Sequence, residues 1–203
     1  MTPPTFLAAL APRRIAIFRA LQLGDMLCAV PALRALRLAA PHAHITLIGL
    51  PWAQAFVDRY TDLVDELVVF PGATGFPEQP ETDAGLPAFY EAMRARHFDL
   101  AIQLHGSGGV ANDLLFEFGA RAYAGFVQAN EPHREGGFIA WPEHLPESER
   151  YLALMSALGA PVIAPRLSFP LTEQDAAEYA SLVAGHGIEA HRLVLIHPGA
   201  QLP

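Results

Sequence analysis

What most constrains this chain is a repeated alternation of short apolar runs, several rich in β-branched residues, with longer stretches of helical spacing. The first repeat is the clearest. Arg14-Ile-Ala-Ile-Phe18 reads as a buried strand, a short loop ends in Gly24-Asp25, and a long apolar helix pattern runs over about 25–39. Ile45–Gly49, Asp65–Phe70, Phe98–Leu104 and Ala122–Val127 continue the series. Near-continuous apolar runs of this kind suit strands covered on both faces, as in a parallel sheet. Between them, Pro51 opens a short helix to about Tyr60 from the N1 position. Further helices are predicted over Pro87–His97, about 110–118 and about 147–158, the last closed by Gly159 at C′. The stretches Pro71–Gly85 and 128–144 read as long irregular loops, which are commonly functional or mobile. This order predicts an α/β fold: a doubly wound, mostly parallel, Rossmann-like sheet with helices on both faces.

A second region starts near residue 164. Pro161 to Pro170 reads as a linker, and Thr172 to Ala184 as a helix opened by the capping box Thr172-Glu-Gln-Asp175. Arg192-Leu-Val-Leu-Ile196 reads as a strand and His197-Pro-Gly-Ala200 as the turn after it. The expected division is a Rossmann-like domain over 1–163, then a linker and the start of a second α/β domain over 164–203. On this reading the chain is the N-terminal piece of a larger protein. Met1 to Leu10 has no basic region and is expected to be a loose leader, not a signal peptide. No run of 18 apolar residues occurs, so no membrane-spanning helix is expected. The expected location is cytoplasmic, with peripheral contact at the inner face of the inner membrane left open.

Composition narrows the function classes. With 52% apolar and 17% charged residues the chain folds. It carries 13 basic against 21 acidic residues, a formal net charge of −8, and no Lys/Arg cluster, which argues against nucleic-acid binding. Anionic ligands remain reachable through helix N-termini and single arginines. Cys28 is the sole cysteine, cannot form an internal disulfide and reads as a small core residue. The nine histidines lack metal-ligand spacing, so no metal is expected. No Gly-x-Ser-x-Gly elbow or Gly-x-Gly-x-x-Gly fingerprint occurs, which disfavours a serine hydrolase and a nicotinamide site.

Chemistry is expected at the carboxyl edge of the sheet, where three loops gather: Ala20–Asp25, His105–Gly109 and Glu131–Gly137. Asp25 has two readings, an N-cap for the first helix or a base aimed into a cleft, and spacing leaves both open. Arg19 is a candidate partner for an anion. His105, Gly106, Ser107, Gly108 and Gly109 offer backbone N–H groups and close approach, or simply a left-handed turn and cap. His197 reads as a structural residue ending a strand.

Leu23-Gly24-Asp25 followed by Pro31-Ala-Leu-Arg-Ala-Leu36, then Asp99-Leu-Ala-Ile-Gln-Leu-His-Gly106, then Leu195-Ile-His-Pro-Gly-Ala200, stand in this order over nearly the whole chain. Together they resemble glycosyltransferase family 9, the heptosyltransferases of lipopolysaccharide core assembly. The resemblance implies a GT-B fold, with two Rossmann-like domains facing a cleft. It implies an N-terminal domain for a lipid-linked saccharide acceptor and a C-terminal domain for a nucleotide sugar, typically ADP-heptose. No cofactor is implied. Asp25, in the Gly24-Asp25 motif, would be the base of an inverting transfer. Arg19, Gly24, His105, Gly106, Ser107 and Arg134 would face the acceptor, and Gly199, Ala200 and Gln201 the donor diphosphate. Family hydroxyls are absent from that last turn, and the sequence stops before the family's downstream lysine. Little activity is therefore expected from these 203 residues alone. Two other readings stand beside this one: a non-catalytic α/β ligand-binding module in which Asp25 only caps a helix, and a nucleotide-sugar epimerase on the same fold.

Overall fold

The computed structural model describes residues 4–79, 81–128 and 136–196. Two compact units are distinguished, Met1–Ser168 and Phe169–Pro203, dividing five residues beyond the expected boundary.

The first unit is a six-stranded, wholly parallel sheet. In chain order its strands are β1 (Arg14–Phe18), β2 (His44–Gly49), β3 (Glu66–Val69), β4 (Leu100–Gln103), β5 (Ala122–Val127) and β6 (Gly137–Ala140). In space they run β3-β2-β1-β4-β5-β6. Ile15 of central β1 pairs with Ile45 of β2 on one side and Leu100 of β4 on the other. With a neighbour on both edges and helices on both faces, β1 has no solvent side, which is why Ile15 through Phe18 are all fully buried.

Strand periodicity divides the core in two. Ile15 and Ile17 face α1 (Phe6–Leu10), α2 (Leu23–Ala39), α3 (Gln54–Arg59) and α6 (Glu147–Leu158). Ala16 and Phe18 face α4 (Leu86–Ala95) and α5 (Val110–Phe116). The second layer is rich in aromatics: Phe18 meets Phe70, Phe76 and Phe118 edge-on at 5.3, 5.6 and 6.4 Å. Phe76 belongs to the long loop after β3, and its burial anchors that loop to the core.

Several expectations are corrected here. The expected leader forms helix α1, whose Leu7 is buried in the first core layer. The stretch 128–144 contains a sixth strand, β6, which pairs with β5. That pairing satisfies N–H and C=O groups that an edge strand leaves bare. Helix α2 starts at Leu23, with Gln22 at the N-cap and no side-chain cap bond, so Asp25 is third in the helix and does not cap it. Cys28 is only partly buried against the first core layer.

The second unit has α7 (Glu173–His186), opened by the predicted capping box. The Asp175 N–H donates to Thr172 Oγ1 at 3.1 Å, and the Thr172 N–H donates to Asp175 Oδ2 at 2.7 Å. Residues 193–196 are not the expected strand. They lack regular structure, and Val194, Leu195 and Ile196 are each about 80% exposed. A strand needs a neighbour for its ladder, and no described residue supplies one.

Candidate active site at the switch point

The order 3-2-1-4-5-6 reverses direction between β1 and β4. In such sheets the crevice beyond the carboxyl ends at this point is where ligands bind. The two connections leaving it are residues 19–22, from β1 to α2, and residues 104–109, from β4 to α5. The sequence motifs Leu23-Gly24-Asp25 and His105-Gly106-Ser107 thus meet at one place in the fold.

Arg19 organises this place, though not as expected. Its side chain is fully buried. Nε donates to the Asp25 carbonyl at 3.1 Å, Nη2 to that carbonyl and to Glu147 Oε1 at 2.9 Å, and Nη1 to the Leu104 carbonyl and to Tyr151 Oη at 2.6 Å. The guanidinium also lies 4.6 Å from the Tyr151 ring centroid. All five donors are used within the protein, so the expected contact with an anionic ligand is corrected to an internal brace. The brace ties the end of β4 and the first turns of α2 and α6 to β1. Glu147, which receives it, stays below the usual carboxylate range: burial opposes its charge, but hydrogen bonds from Tyr151 and Arg19 prevail. Burial pushes the Tyr151 hydroxyl upward, keeping it protonated.

Asp25 is the opposite case. It is half-buried, and its carboxylate accepts no hydrogen bond from the described residues. Its backbone carbonyl, in contrast, is gripped by Arg19. Gly24 beside it is exposed, and a Cβ there would meet nothing within 4 Å. Packing does not demand a glycine at this point, so the bare backbone leaves room for something outside the fold.

His105 stacks on Phe18 at 5.1 Å and meets Phe76 edge-on at 5.2 Å. Its Nδ1 accepts the Ala20 N–H at 3.2 Å, which leaves the proton on Nε2. Burial first, and the Arg19 charge second, pull its pKa from 6.5 to about 4. The ring is therefore neutral at physiological pH and can donate through Nε2. Gln103, fully buried, donates from Nε2 to the carbonyls of His105 and Gly106, the latter at 3.1 Å. Gly106, Gly108 and Gly109 take φ of +74°, +124° and +62°, which glycine adopts without strain. Ser107 Oγ accepts from Gln128 Nε2 at 3.4 Å.

Of the expected acceptor-facing residues, Gly24, His105, Gly106 and Ser107 gather with Asp25 at this edge. Arg134, Gly199, Ala200 and Gln201, and also His197, lie outside the described residues. Sequence reasoning missed Glu147 and Tyr151, which complete the Arg19 brace, as well as Gln103. It also missed Asn112, fully buried, which donates to the Phe126 carbonyl at 2.8 Å while its Oδ1 has no partner among the described residues. A polar residue inside an apolar run, as at Gln103, was the available signal.

An open parallel sheet in this order, with a glycine-bearing loop and a carboxylate at its switch point, defines the chain as a Rossmann-like α/β protein. The same fold occurs in solved structures of glycosyltransferase family 9. The family member from Veillonella parvula matches with a TM-score of 0.66 and 20% identity, over 87% of this chain and 51% of that one. Escherichia coli heptosyltransferase WaaC, solved with ADP-2-deoxy-2-fluoro heptose, matches with a TM-score of 0.55 and 20% identity, over 84% and 54%. Escherichia coli ADP-heptose lipopolysaccharide heptosyltransferase II matches with a TM-score of 0.57 and 17% identity, over 89% and 52%. This chain thus spans about half the length of each. No protein-family model matches it, and no curated protein matches it in sequence.

Proposed function

We propose that this chain is the acceptor-binding part of an inverting GT-B glycosyltransferase. The donor is a nucleotide sugar, ADP-heptose or a close analogue, and the acceptor is the lipopolysaccharide core or another cell-envelope saccharide. The observation that carries the proposal is the state of Asp25: a half-buried carboxylate at the switch point, fixed through its backbone and left without a hydrogen-bond partner among the described residues. A capping carboxylate is saturated by N–H groups, which compete with an incoming proton. This one is not.

In the reaction, an acceptor hydroxyl oxygen bonds to the anomeric carbon of the donor sugar as Asp25 takes the hydroxyl proton. The bond from that carbon to the diphosphate oxygen breaks on the opposite face, and its electron pair leaves with ADP, so configuration inverts. His105, neutral and donating from Nε2, and the open backbone at Gly24 and Gly106 orient the acceptor. Gly199, Ala200, Gln201 and the donor-binding region would hold the diphosphate, and Arg134 is proposed to face the acceptor. The 203 residues alone are expected to turn over little, because they span only about half the length of the glycosyltransferase structures that share this fold. No helix among the described residues is long and apolar enough to cross a membrane; the place of work proposed from the family resemblance is the cytoplasmic side of the inner membrane.

The test is ADP release from ADP-heptose with a truncated lipopolysaccharide acceptor. The protein used is the complete gene product that carries this chain, wild type beside Asp25→Asn. Activity abolished by that change, with both substrates still bound, supports the proposal. Activity that survives moves the base elsewhere.

A further inference from the structure

The amino edge of the sheet, where the strands begin, carries a polar cavity of about 400 Å³. It is lined by Arg14, His44, Thr46, Glu66, Arg96 and Phe98. Arg14 opens β1 and Phe18 closes it, a span of roughly 13 Å at the usual strand rise, so this cavity stands apart from the switch point.

Sheet register assembles the site. Arg14 pairs with His44, and Thr46 pairs with Glu66. Residues two apart on a strand share a face, so Arg14, His44, Thr46 and Glu66 all lie on the face of Ala16 and Phe18. Helix α4 covers that face, and the chain leaving α4 brings Arg96 and Phe98 to the strand starts. Thr46 and Phe98 are buried. The side chains of Glu66 and Arg96 stay about one-third exposed, within reach of a ligand.

The charges of the lining do not cancel. Arg96 forks onto Glu66 Oε2 and Oε1 at 2.7 and 2.9 Å. Glu66 Oε2 also faces His44 Nε2 at 3.2 Å and accepts from Thr46 Oγ1 at 3.3 Å. These bonds, that of Arg96 first, outweigh burial and hold Glu66 below the usual carboxylate range, so it is a fixed anion. One carboxylate thus faces two guanidiniums, a surplus of one positive charge before any charge on His44. Helix capping accounts for a single contact of Arg14: its Nη1 donates to the Arg96 carbonyl at 2.9 Å, at the end of α4. A guanidinium has five N–H groups. The other N–H groups of Arg14, and those of Arg96 outside the fork, have no acceptor among the described residues.

The missing acceptor is an oxyanion. A carboxylate offers two oxygens in one plane, which a single guanidinium fork fills. A phosphate monoester brings three acceptor oxygens and close to two negative charges, which match two guanidiniums held on different elements. The volume leaves room for a small organic group behind the phosphate.

We propose that the cavity of Arg14, His44, Glu66 and Arg96 binds the phosphate group of a small soluble phosphate monoester. Such a ligand ties the start of β1 to the end of α4. The site does not depend on the transferase reading, and its test needs no turnover.

The test is an amide-resolved NMR titration of the 203-residue chain with inorganic phosphate and with glycerol 3-phosphate, at constant ionic strength. Saturable shifts centred on Arg14, His44 and Arg96 are expected, with Kd of about 1–10 mM. Arg14→Gln should weaken binding about fivefold or more, whereas Arg13→Gln, one residue outside the lining, should leave Kd within about twofold. Glu66→Gln acts in the other direction: it removes the lining carboxylate and should tighten binding about threefold, a sign that a damaged fold does not produce. Acetate should bind about fivefold or more weakly than phosphate. The proposal is overturned by the absence of saturable shifts with both soluble probes, by equal losses in Arg13→Gln and Arg14→Gln, by weaker binding in Glu66→Gln, or by acetate binding as tightly as phosphate. Phosphatidic acid vesicles test the other source of a phosphate monoester. Arg14-dependent cosedimentation with them, beside blank titrations with both soluble probes, overturns the soluble ligand and assigns the phosphate to a lipid headgroup.

Discussion

Arg19 and Asp25 are six residues apart, at the same edge of the same sheet, and they meet opposite fates. The arginine is fully buried, with five donors spent on three backbone or side-chain partners of other elements and on the Asp25 carbonyl. The aspartate is half-buried, and its side chain accepts nothing from the described residues. A lone buried guanidinium would be costly, and here every N–H is matched, so its charge stiffens the edge. In the proposed transfer, Asp25 would use that stiffness. The group that is satisfied holds the frame, and the group left unsatisfied is the one available for chemistry.

The comparison breaks first at Asp25. Asp25→Asn is expected to lower the transferase rate of the complete protein by about 10²–10⁴-fold. The same variant should leave the urea midpoint of this chain nearly unchanged, because no described hydrogen bond is lost. Equal loss of stability and activity would mean that Asp25 is part of the frame. Arg19→Met should do the reverse and act on the fold, costing about 3 kcal/mol in urea unfolding, since Tyr151, Glu147 and two carbonyls lose their donor. Any fall in rate should follow from a displaced Asp25, so the pH profile of the residual activity should change along with kcat. An Arg19→Met chain of wild-type stability would end the brace argument.

Acid sharpens the comparison next. His105 has a folded pKa of about 4 against 6.5 unfolded, so the unfolded chain binds the extra proton between those values. Stability should be complete above about pH 6.5 and fall as pH drops toward 4, by on the order of 3 kcal/mol. Glu147 acts in the same direction at lower pH: its folded pKa is depressed, so its contribution is lost as pH falls through that value. His105→Gln should flatten the upper part of this slope, as read by thermal unfolding at a series of pH values. The smallest effect belongs to the second unit. Thr172→Ala removes the capping box of α7 and should cost about 1 kcal/mol of helix stability. The loss is read as faster amide exchange in residues 173–178, with the first unit untouched.

Much of the frame was legible beforehand. Five of the six strands of the first unit are apolar runs bounded by loop signals, and the capping box of α7 is spelled out in four residues. Besides helix α1, where a loose leader was expected, three elements were not legible, each for a reason of context. Gly137-Phe-Ile-Ala140 is too short and too glycine-flanked to read as a strand, and becomes one because β5 offers it a bare edge. Leu193–Ile196 is the better strand former by composition, yet stays irregular where no described strand lies beside it. Helix α2 begins two residues before Asp25, because Gln22 takes the N-cap position without a side-chain bond, something residue type does not signal.

At the candidate site the division is the same. The sequence by itself determined the alternation of strand and helix, the carboxylate after the first strand, and the glycines after the fourth, because these follow from hydrophobic period and backbone sterics along one stretch of chain. Only the tertiary structure decided that Arg19 faces inward and that Gln103 braces the glycine loop. Hydrogen-bond satisfaction and burial are settled between residues up to 132 positions apart, and no local pattern carries that information.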